Sequence, residues 1–287
     1  MPDTTAAPTP STPLPADLSV AFIGGGNMAS ALIGGLVHQG LPAARLQVVE
    51  PHAPSRARLE ADFPGIRVLE VSGPALADSA AVVWAVKPQV LREAAAQAAP
   101  HTADALHLSV AAGIRSDSLA AWLGSERIVR AMPNTPSLIG RGMTGLFARP
   151  AVDAADRDRI GQLVAPTGDY LWLAQESLLD AVTAVSGSGP AYVFYLIEAM
   201  AAAGVALGLA AQDAHRLAVG TVAGAAELAA RSDDAPEALR ERVTSKGGTT
   251  HAAISSMESD GVRQSIERAL RAAHDRAVEM GGEFGRS

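Results

Sequence analysis

Apolar and polar positions divide the chain into two regimes. In the first, short apolar runs alternate with stretches of helical period. Leu18–Ile23 reads as a strand and is followed by an Ala/Leu/Ile-rich helix to about Gln39. Leu46–Glu50 (strand), Ser55–Phe63 (helix), Arg67–Leu69 (strand) and Ala81–Val86 (strand) come next. Gln89–Ala99 (helix), Ala105–Val110 (strand), Leu119–Leu123 (helix) and Ile128–Met132 (strand) complete the series. Alternation of this kind predicts a parallel sheet covered by helices on both faces. Gly142–Ala148 and Tyr170–Leu173 read as further strands at its far edge. From about Leu178 the strand signals stop. Four Ala- and Gly-rich helical stretches follow, at Leu178–Leu209, Gln212–Arg231, Pro236–Val243 and Thr249–Met280. The switch puts a boundary near Ala174, between a sheet domain over 18–174 and a helical domain over 175–287.

The helical stretches are apolar on more than one face, so they must be buried, and a domain of this size has too little interior to bury them alone. Dimerisation through them is the natural expectation. Tyr192–Ala211 carries only one charge, Glu198, and is as long as a membrane span. Its weight is Ala and Gly, and no basic flank follows, which favours a helix buried in protein. Met1–Asp17 is rich in Pro, Thr and Ala, with no positive n-region and no apolar h-region. It reads as a disordered extension and not as a secretory signal, so a cytoplasmic location is expected.

Composition removes several chemistries. The 287 residues include no cysteine, which excludes disulfides, thiolate catalysis and cysteine-ligated zinc. The seven histidines are scattered without metal-ligand spacing, so no structural metal is expected. A net charge of −7 disfavours a nucleic-acid surface, which needs a basic patch. Lys87 and Lys246 are the only lysines, and both fall inside candidate site segments.

The first of those segments follows the first strand. Gly24-Gly25-Gly26-Asn27-Met28-Ala29 fits G-x-G-x-x-A: Gly24 permits a tight turn, Gly26 lets a pyrophosphate approach the backbone, and Ala29 lets helix and strand pack closely. With a strand before it and a helix after it, this is a dinucleotide-binding signature. Glu50, at the end of the second strand, stands where an acid binds ribose hydroxyls and repels a 2′-phosphate, which favours NAD. Ser55, Arg56 and Arg58 are close enough to cover a 2′-phosphate instead, or are simply solvated helix charges. Ala85-Val86-Lys87-Pro88, Ala111-Ala112-Gly113 and Met132-Pro133-Asn134-Thr135-Pro136 leave three later strands. They form either a nicotinamide trough or ordinary turns. Lys87 is equally a site cation or a solvated one.

Two segments interrupt the helical half. Ser186-Gly187-Ser188-Gly189-Pro190-Ala191-Tyr192 places two glycines and a proline where helix is expected, which calls for close packing or a ligand. Val243-Thr244-Ser245-Lys246-Gly247-Gly248-Thr249-Thr250 is either a carboxylate or phosphate seat at a helix start, or a helix stop at Gly247 followed by an N-cap at Thr249 or Thr250.

In this order, the glycine turn, Ala85–Pro88, Met132–Pro136, Ser186–Tyr192 and Thr244–Thr250 resemble the pyrroline-5-carboxylate reductase family from about Leu18 to Met280. The last two segments are specific to that family, whereas the glycine turn is shared with many dehydrogenases. Lys246 stands where many relatives carry proline. The resemblance implies a Rossmann-type doubly wound parallel sheet followed by an all-helical dimerisation domain, interlocked as a homodimer, with rings of dimers in some members. It implies hydride transfer from NADP(H), or from NAD(H), to the cyclic imine of 1-pyrroline-5-carboxylate, giving L-proline. Cofactor contacts then fall on Gly24, Gly26, Asn27, Met28, Ala29, Glu50, Ser55, Arg56, Ala85, Val86, Lys87, Pro88, Ala112 and Asn134. Backbone N–H groups of Gly247, Gly248 and Thr249, with the Ser245 hydroxyl, would hold the substrate carboxylate. Thr250 would act on the ring nitrogen as the catalytic hydroxyl. Two rivals remain. A β-hydroxyacid dehydrogenase of the same plan uses a helix-borne lysine, where this chain has only Lys246 at a turn. A non-catalytic nucleotide sensor would not need the second hydroxyl-glycine segment.

Overall fold

Val20–Ile23 (β1) lies at the middle of the sheet because both of its faces are apolar: Val20 and Phe22 enter one core, Ala21 and Ile23 the other. The computed structural model describes Pro15 and residues 17–284, so the expected extension over 1–17 lies, apart from Pro15 and Asp17, outside the described residues. One compact unit runs up to Gly187 and takes in 273–284; the other is Ser188–Ala272.

The first unit holds one sheet, made of β1 with Leu46–Val49 (β2), Arg67–Leu69 (β3), Ala81–Trp84 (β4), Leu106–Ser109 (β5), Ile128–Met132 (β6), Gly142–Ala148 (β7) and Gly168–Trp172 (β8). The spatial order is β3-β2-β1-β4-β5-β6-β7-β8. Strands β1 to β6 are parallel, with the order reversing between β1 and β4, which is a doubly wound Rossmann-type arrangement. On one face, Asn27–His38 (α1) contributes Ala29, Leu32, Ile33 and Leu36 to the core; Leu59 of Ala53–Asp62 (α2) joins them. On the other face, Pro88–Ala98 (α3) contributes Leu91, Ala95 and Ala98, and Ser116–Leu123 (α4) contributes Leu119 and Leu123.

Two features depart from the strand-helix reading. β7 pairs antiparallel with β6, because the short link between them holds one 3-10 turn, Thr135–Ile139, too little chain for a crossover helix. β7 and β8 are parallel again because a helix joins them, Ala154–Val164 (α5). That helix went unrecognised in the sequence, although Asp153 caps it by accepting the Asp156 N–H at 2.8 Å and Ile160, Leu163 and Val164 are buried at helical spacing.

Beyond β8, Glu176 accepts the N–H and the hydroxyl of Ser116, each at 2.6 Å, and an Arg130 N–H at 2.7 Å. Burial alone would raise its carboxyl, but the Ser116 donors and the Arg130 charge outweigh that and hold it below the usual carboxylate range. The glutamate thereby ties the chain leaving the sheet to α4 and β6.

In the second core the Trp84 indole N–H donates to Nδ1 of fully buried His107 at 3.2 Å, so the imidazole there is neutral. Burial, with the Arg127 charge, lowers its pKa from 6.5 to about 4. As pH falls below 6.5 the unfolded chain takes up this proton and the folded chain does not, so stability drops until about pH 4 is reached. Between pH 7 and pH 5 the expected loss is about 2 kcal/mol. Urea titrations of the parent and of His107→Gln at both pH values check this: the parent should lose that much more than the variant, and equal losses would contradict it.

After β8, Leu178–Val182 (α6) passes into a π-turn at Thr183–Gly187. The second unit begins at Ser188, and Gly189–Ala206 (α7) starts with Pro190 in its first turn, where a missing N–H costs nothing. The expected continuous helix Leu178–Leu209 is therefore two segments around an interruption. α7 and Ala211–Ala230 (α8) form a helical hairpin in which a Cβ on Gly204 would lie 3.0 Å from the Ala214 Cβ, and Ala214 and Ala218 are buried. Pro236–Arg242 (α9) and Thr249–Ser259 (α10) follow. The expected helix Thr249–Met280 is also divided: Gly261 takes a φ of +67° and ends α10, and Val262–Phe284 (α11) restarts after it.

Candidate active site

Within the sheet unit the carboxyl ends of β1 and β4 meet where the strand order reverses, which is where open α/β sheets bind ligands. Gly24 leaves β1 with φ at +97°, and a Cβ there would lie 2.8 Å from both the Ala85 carbonyl oxygen and Val86 Cγ1. Only glycine lets the β1 turn and the β4 loop come this close. Gly26 is the opposite case, since a Cβ built on it meets nothing within 4 Å. It is the N-cap of α1 without a side-chain cap, and the first intrahelical bond is from Ser30 N–H to its carbonyl. The N–H groups of Asn27, Met28 and Ala29 thus have no acceptor in the helix; Asn27 is exposed and Met28 half-buried at the positive end of the dipole. Ala29 itself is buried against the sheet, as the signature requires.

The neighbouring β2–α2 segment is tightly bonded. Glu50 Oε2 accepts the Gly25 N–H at 3.0 Å and Oε1 the His52 N–H at 2.9 Å. Arg56 donates to the carbonyls of Glu50 and Pro51 at 3.0 and 2.6 Å and pairs with Glu70 at 3.3 Å. Ser55 Oγ lies 3.1 Å from His52 Nδ1. Exposed Arg58 donates to the Gly25 carbonyl at 3.0 Å, a contact that composition and spacing did not flag.

Lys87 is exposed and is the N-cap of α3, with Pro88 as its first residue. Ala112 follows β5 and is partly buried. Asn134 bridges two segments that look independent in the sequence: its amide oxygen accepts the Met143 N–H at 2.9 Å, and its NH2 donates to the Ser186 carbonyl at 3.1 Å. A Cβ on Gly187 would lie 2.5 Å from Met132 Cε, the movable end of that side chain, so the π-turn packs against β6 here.

Within the helical unit, Gly248 N–H donates to the Ser245 carbonyl at 3.0 Å, closing a turn over Lys246 and Gly247. Gly247, at φ +76°, has the positive φ that the third position of a type II turn demands. Gly248 is then the N-cap of α10, not Thr249 or Thr250 as the capping alternative had it, and no side chain caps the helix. Thr249, Thr250 and His251 accordingly present N–H groups without an intrahelical acceptor, since Ala252 is the first to bond back, to Gly248. The Thr250 hydroxyl makes no hydrogen bond among the described residues, and Ser245 and Lys246 are exposed beside it. Such a helix start, with its dipole and free hydroxyls, can accept a carboxylate and position a proton donor or acceptor. Among the described residues no cluster of His, Asp and Glu has the makings of a metal site.

A family model described as "NADP oxidoreductase coenzyme F420-dependent" matches residues 19–113, and one described as "Pyrroline-5-carboxylate reductase dimerisation" matches 176–280. The pyrroline-5-carboxylate reductase of Pseudomonas aeruginosa is 47% identical over 93% of this chain and 98% of its own length. That of Pisum sativum is 39% identical over 91% and 96%. A pyrroline-5-carboxylate reductase structure from Coxiella burnetii superposes with a TM-score of 0.87 at 34% identity, covering 92% of this chain and 98% of that one. The Plasmodium falciparum pyrroline carboxylate reductase, solved with NADP bound, gives 0.82 at 27% identity, over 93% and 99%. With the glycine turn, the Asn134 turn and the Ser245–Thr250 turn all in place and identity at this level spanning nearly the whole chain, the protein belongs to the pyrroline-5-carboxylate reductase family.

Proposed function

We propose that this chain reduces 1-pyrroline-5-carboxylate to L-proline, the last step of proline biosynthesis, with NADP(H) as cofactor and NAD(H) as the second candidate. The observation that carries the substrate assignment is the uncapped start of α10, where N–H groups without an intrahelical acceptor and a Thr250 hydroxyl with no partner among the described residues sit on one turn. A dinucleotide fits the residues of the sheet unit: the space at Gly26 admits a pyrophosphate and the N–H groups of Asn27 and Met28 would hold it, with Ala29 packing the helix start against the sheet behind them. Ala85, Val86, Lys87, Pro88, Ala112 and Asn134 border the region for the rest of the cofactor, and Glu50, Ser55 and Arg56 the adenosine side. When bound, the reduced nicotinamide supplies the hydride.

The chain's own work is then binding, orientation and proton placement. Backbone N–H groups of Gly247 and Thr249, with the Ser245 hydroxyl, grip the ring carboxylate; the Gly248 N–H, expected to join them, is taken by the Ser245 carbonyl and shapes the turn instead. The Thr250 hydroxyl hydrogen-bonds the ring nitrogen and orients or relays its proton. A hydroxyl suffices because a protonated iminium carbon is already electrophilic and needs positioning more than a strong acid.

We assign dinucleotide binding to 18–174 and substrate binding with dimerisation to 175–287. α7 buries none of its residues in its own chain: Phe194 and Tyr195 are 64% and 75% exposed, and Leu217 on α8 is 57% exposed. Helical residues Leu178–Ala206 are long and apolar enough to cross a membrane by length and composition. The match of this region to a dimerisation model supports a second copy of the chain as its cover, in a homodimer. We further propose that this homodimer is cytoplasmic.

The test mixes purified protein with Δ1-pyrroline-5-carboxylate and follows NADPH, then NADH, by absorbance, on material whose mass is read by light scattering. Oxidation of the nucleotide with proline as product is expected, by a dimer or a multiple of it. No oxidation with either nucleotide, in folded protein, would overturn the assignment.

A further inference from the structure

We infer that Glu50 and Arg58 form a clamp that sets the geometry of the triple-glycine turn before any nucleotide arrives, and that Glu50 is a positioning residue and not the selector between dinucleotides. The inference rests on the dinucleotide-binding reading above. Gly24-Gly25-Gly26 is the most flexible tripeptide a chain can contain, since each residue loses more conformational freedom on ordering than any other type. Left to itself it would sample many backbone states, few of them able to receive a pyrophosphate. In this structure both polar groups of the middle residue are held by side chains distant in sequence. The Gly25 N–H donates to Glu50 Oε2 at 3.0 Å, and the Gly25 carbonyl accepts from Arg58 Nη2 at 3.0 Å. Both are charge-assisted bonds, the stronger class. With the Gly25 peptide groups taken, Gly26 and the first N–H groups of α1 are the ones left open to a ligand.

The same contacts remove Glu50 from the role its position suggests. Its second oxygen accepts the His52 N–H at 2.9 Å, so the carboxylate bridges two stretches of backbone. Its charge is met by these N–H dipoles, and Arg56 holds the Glu50 carbonyl at 3.0 Å. An acid committed in this way serves the pyrophosphate seat that phosphorylated and unphosphorylated dinucleotides share. Its loss should therefore act on both alike, by raising the entropic cost of ordering the turn.

Calorimetry with ADP-ribose and 2′-phospho-ADP-ribose tests this without catalysis, because the two probes differ only in the 2′-phosphate. Glu50→Gln should weaken both about tenfold, with the ratio of the two affinities unchanged within about twofold and the loss appearing in the entropy of binding. Arg58→Ala, which frees the other end of the same residue, should weaken ADP-ribose to a similar degree. A tenfold change of the ratio toward 2′-phospho-ADP-ribose in Glu50→Gln would make Glu50 the selector and overturn the inference. Unchanged affinities for both probes, with only a lower melting temperature, would reduce the clamp to a structural tie and overturn it as well. If the parent protein binds neither probe, the dinucleotide reading itself fails, and the clamp falls with it.

Discussion

Gly24→Ala is expected to destabilise the fold by about 2 kcal/mol and to abolish measurable nucleotide binding. Two causes add. The residue sits at φ +97°, outside the region an L side chain adopts without strain. The new Cβ would also lie 2.8 Å from the Ala85 carbonyl oxygen and from Val86 Cγ1, and the carbonyl, being backbone, cannot give way without moving the β4 loop. That displacement falls on Ala85 to Pro88, which border the proposed cofactor site. Gly26→Ala separates the two contributions. Its φ is −74° and its Cβ meets nothing within 4 Å, so stability should stay within about 1 kcal/mol of the parent. Binding should still be lost, because the methyl occupies the space left for the pyrophosphate. Urea unfolding and titration with NADPH fluorescence measure the two effects. A Gly24→Ala protein with parental stability and affinity would contradict the close approach of the two loops.

Thr250→Ala is expected to lower turnover roughly a hundredfold while leaving dinucleotide affinity within twofold. The reason is positional. Thr250 is the second residue of α10, its hydroxyl has no hydrogen-bond partner among the described residues, and the helix start beside it is uncapped. Removing a hydroxyl that supports nothing else in the fold should leave α10 intact, so the loss belongs to the reaction. Thr250→Ser, which keeps the oxygen, should recover most of the rate. Steady-state kinetics with Δ1-pyrroline-5-carboxylate and NADPH decide it. Equal kcat in parent and alanine variant would remove Thr250 from the mechanism and shift attention to Ser245 and Lys246.

Much of the site was legible from residue types alone. The glycine turn was readable because each glycine there meets a local demand: Gly24 a positive φ, Gly26 an open approach. The Ser245–Thr250 turn was readable as a helix stop followed by a helix start, but its cap was not. A threonine beside a glycine scores as the better N-cap on local preference. The turn closed by Gly248 N–H onto Ser245 instead makes Gly248 the cap and leaves both threonine hydroxyls uncommitted. Asn134 is the clearer lesson. As part of Met132–Pro136 it reads as a turn residue or a cofactor contact, whereas its amide also joins Met143 to Ser186, 52 residues away along the chain.

Local pattern alone determined the strands and most of the helices of the sheet unit, the alternation that makes the first six strands parallel, the glycine signature and the helical character of the rest. Periodicity and turn chemistry act between residues a few positions apart, and so they can be read without knowing the fold. The tertiary structure decided the rest. It turned β7 against β6, where the connecting chain is too short for a crossover, and it committed the Glu50 carboxylate to backbone N–H groups. It also left Phe194 and Tyr195 on α7 and Leu217 on α8 exposed. For the carboxylate and the exposed apolar residues the partner lies far off in sequence, or on no residue of this unit, and which distant group satisfies a donor or covers an apolar residue is settled only when the elements pack.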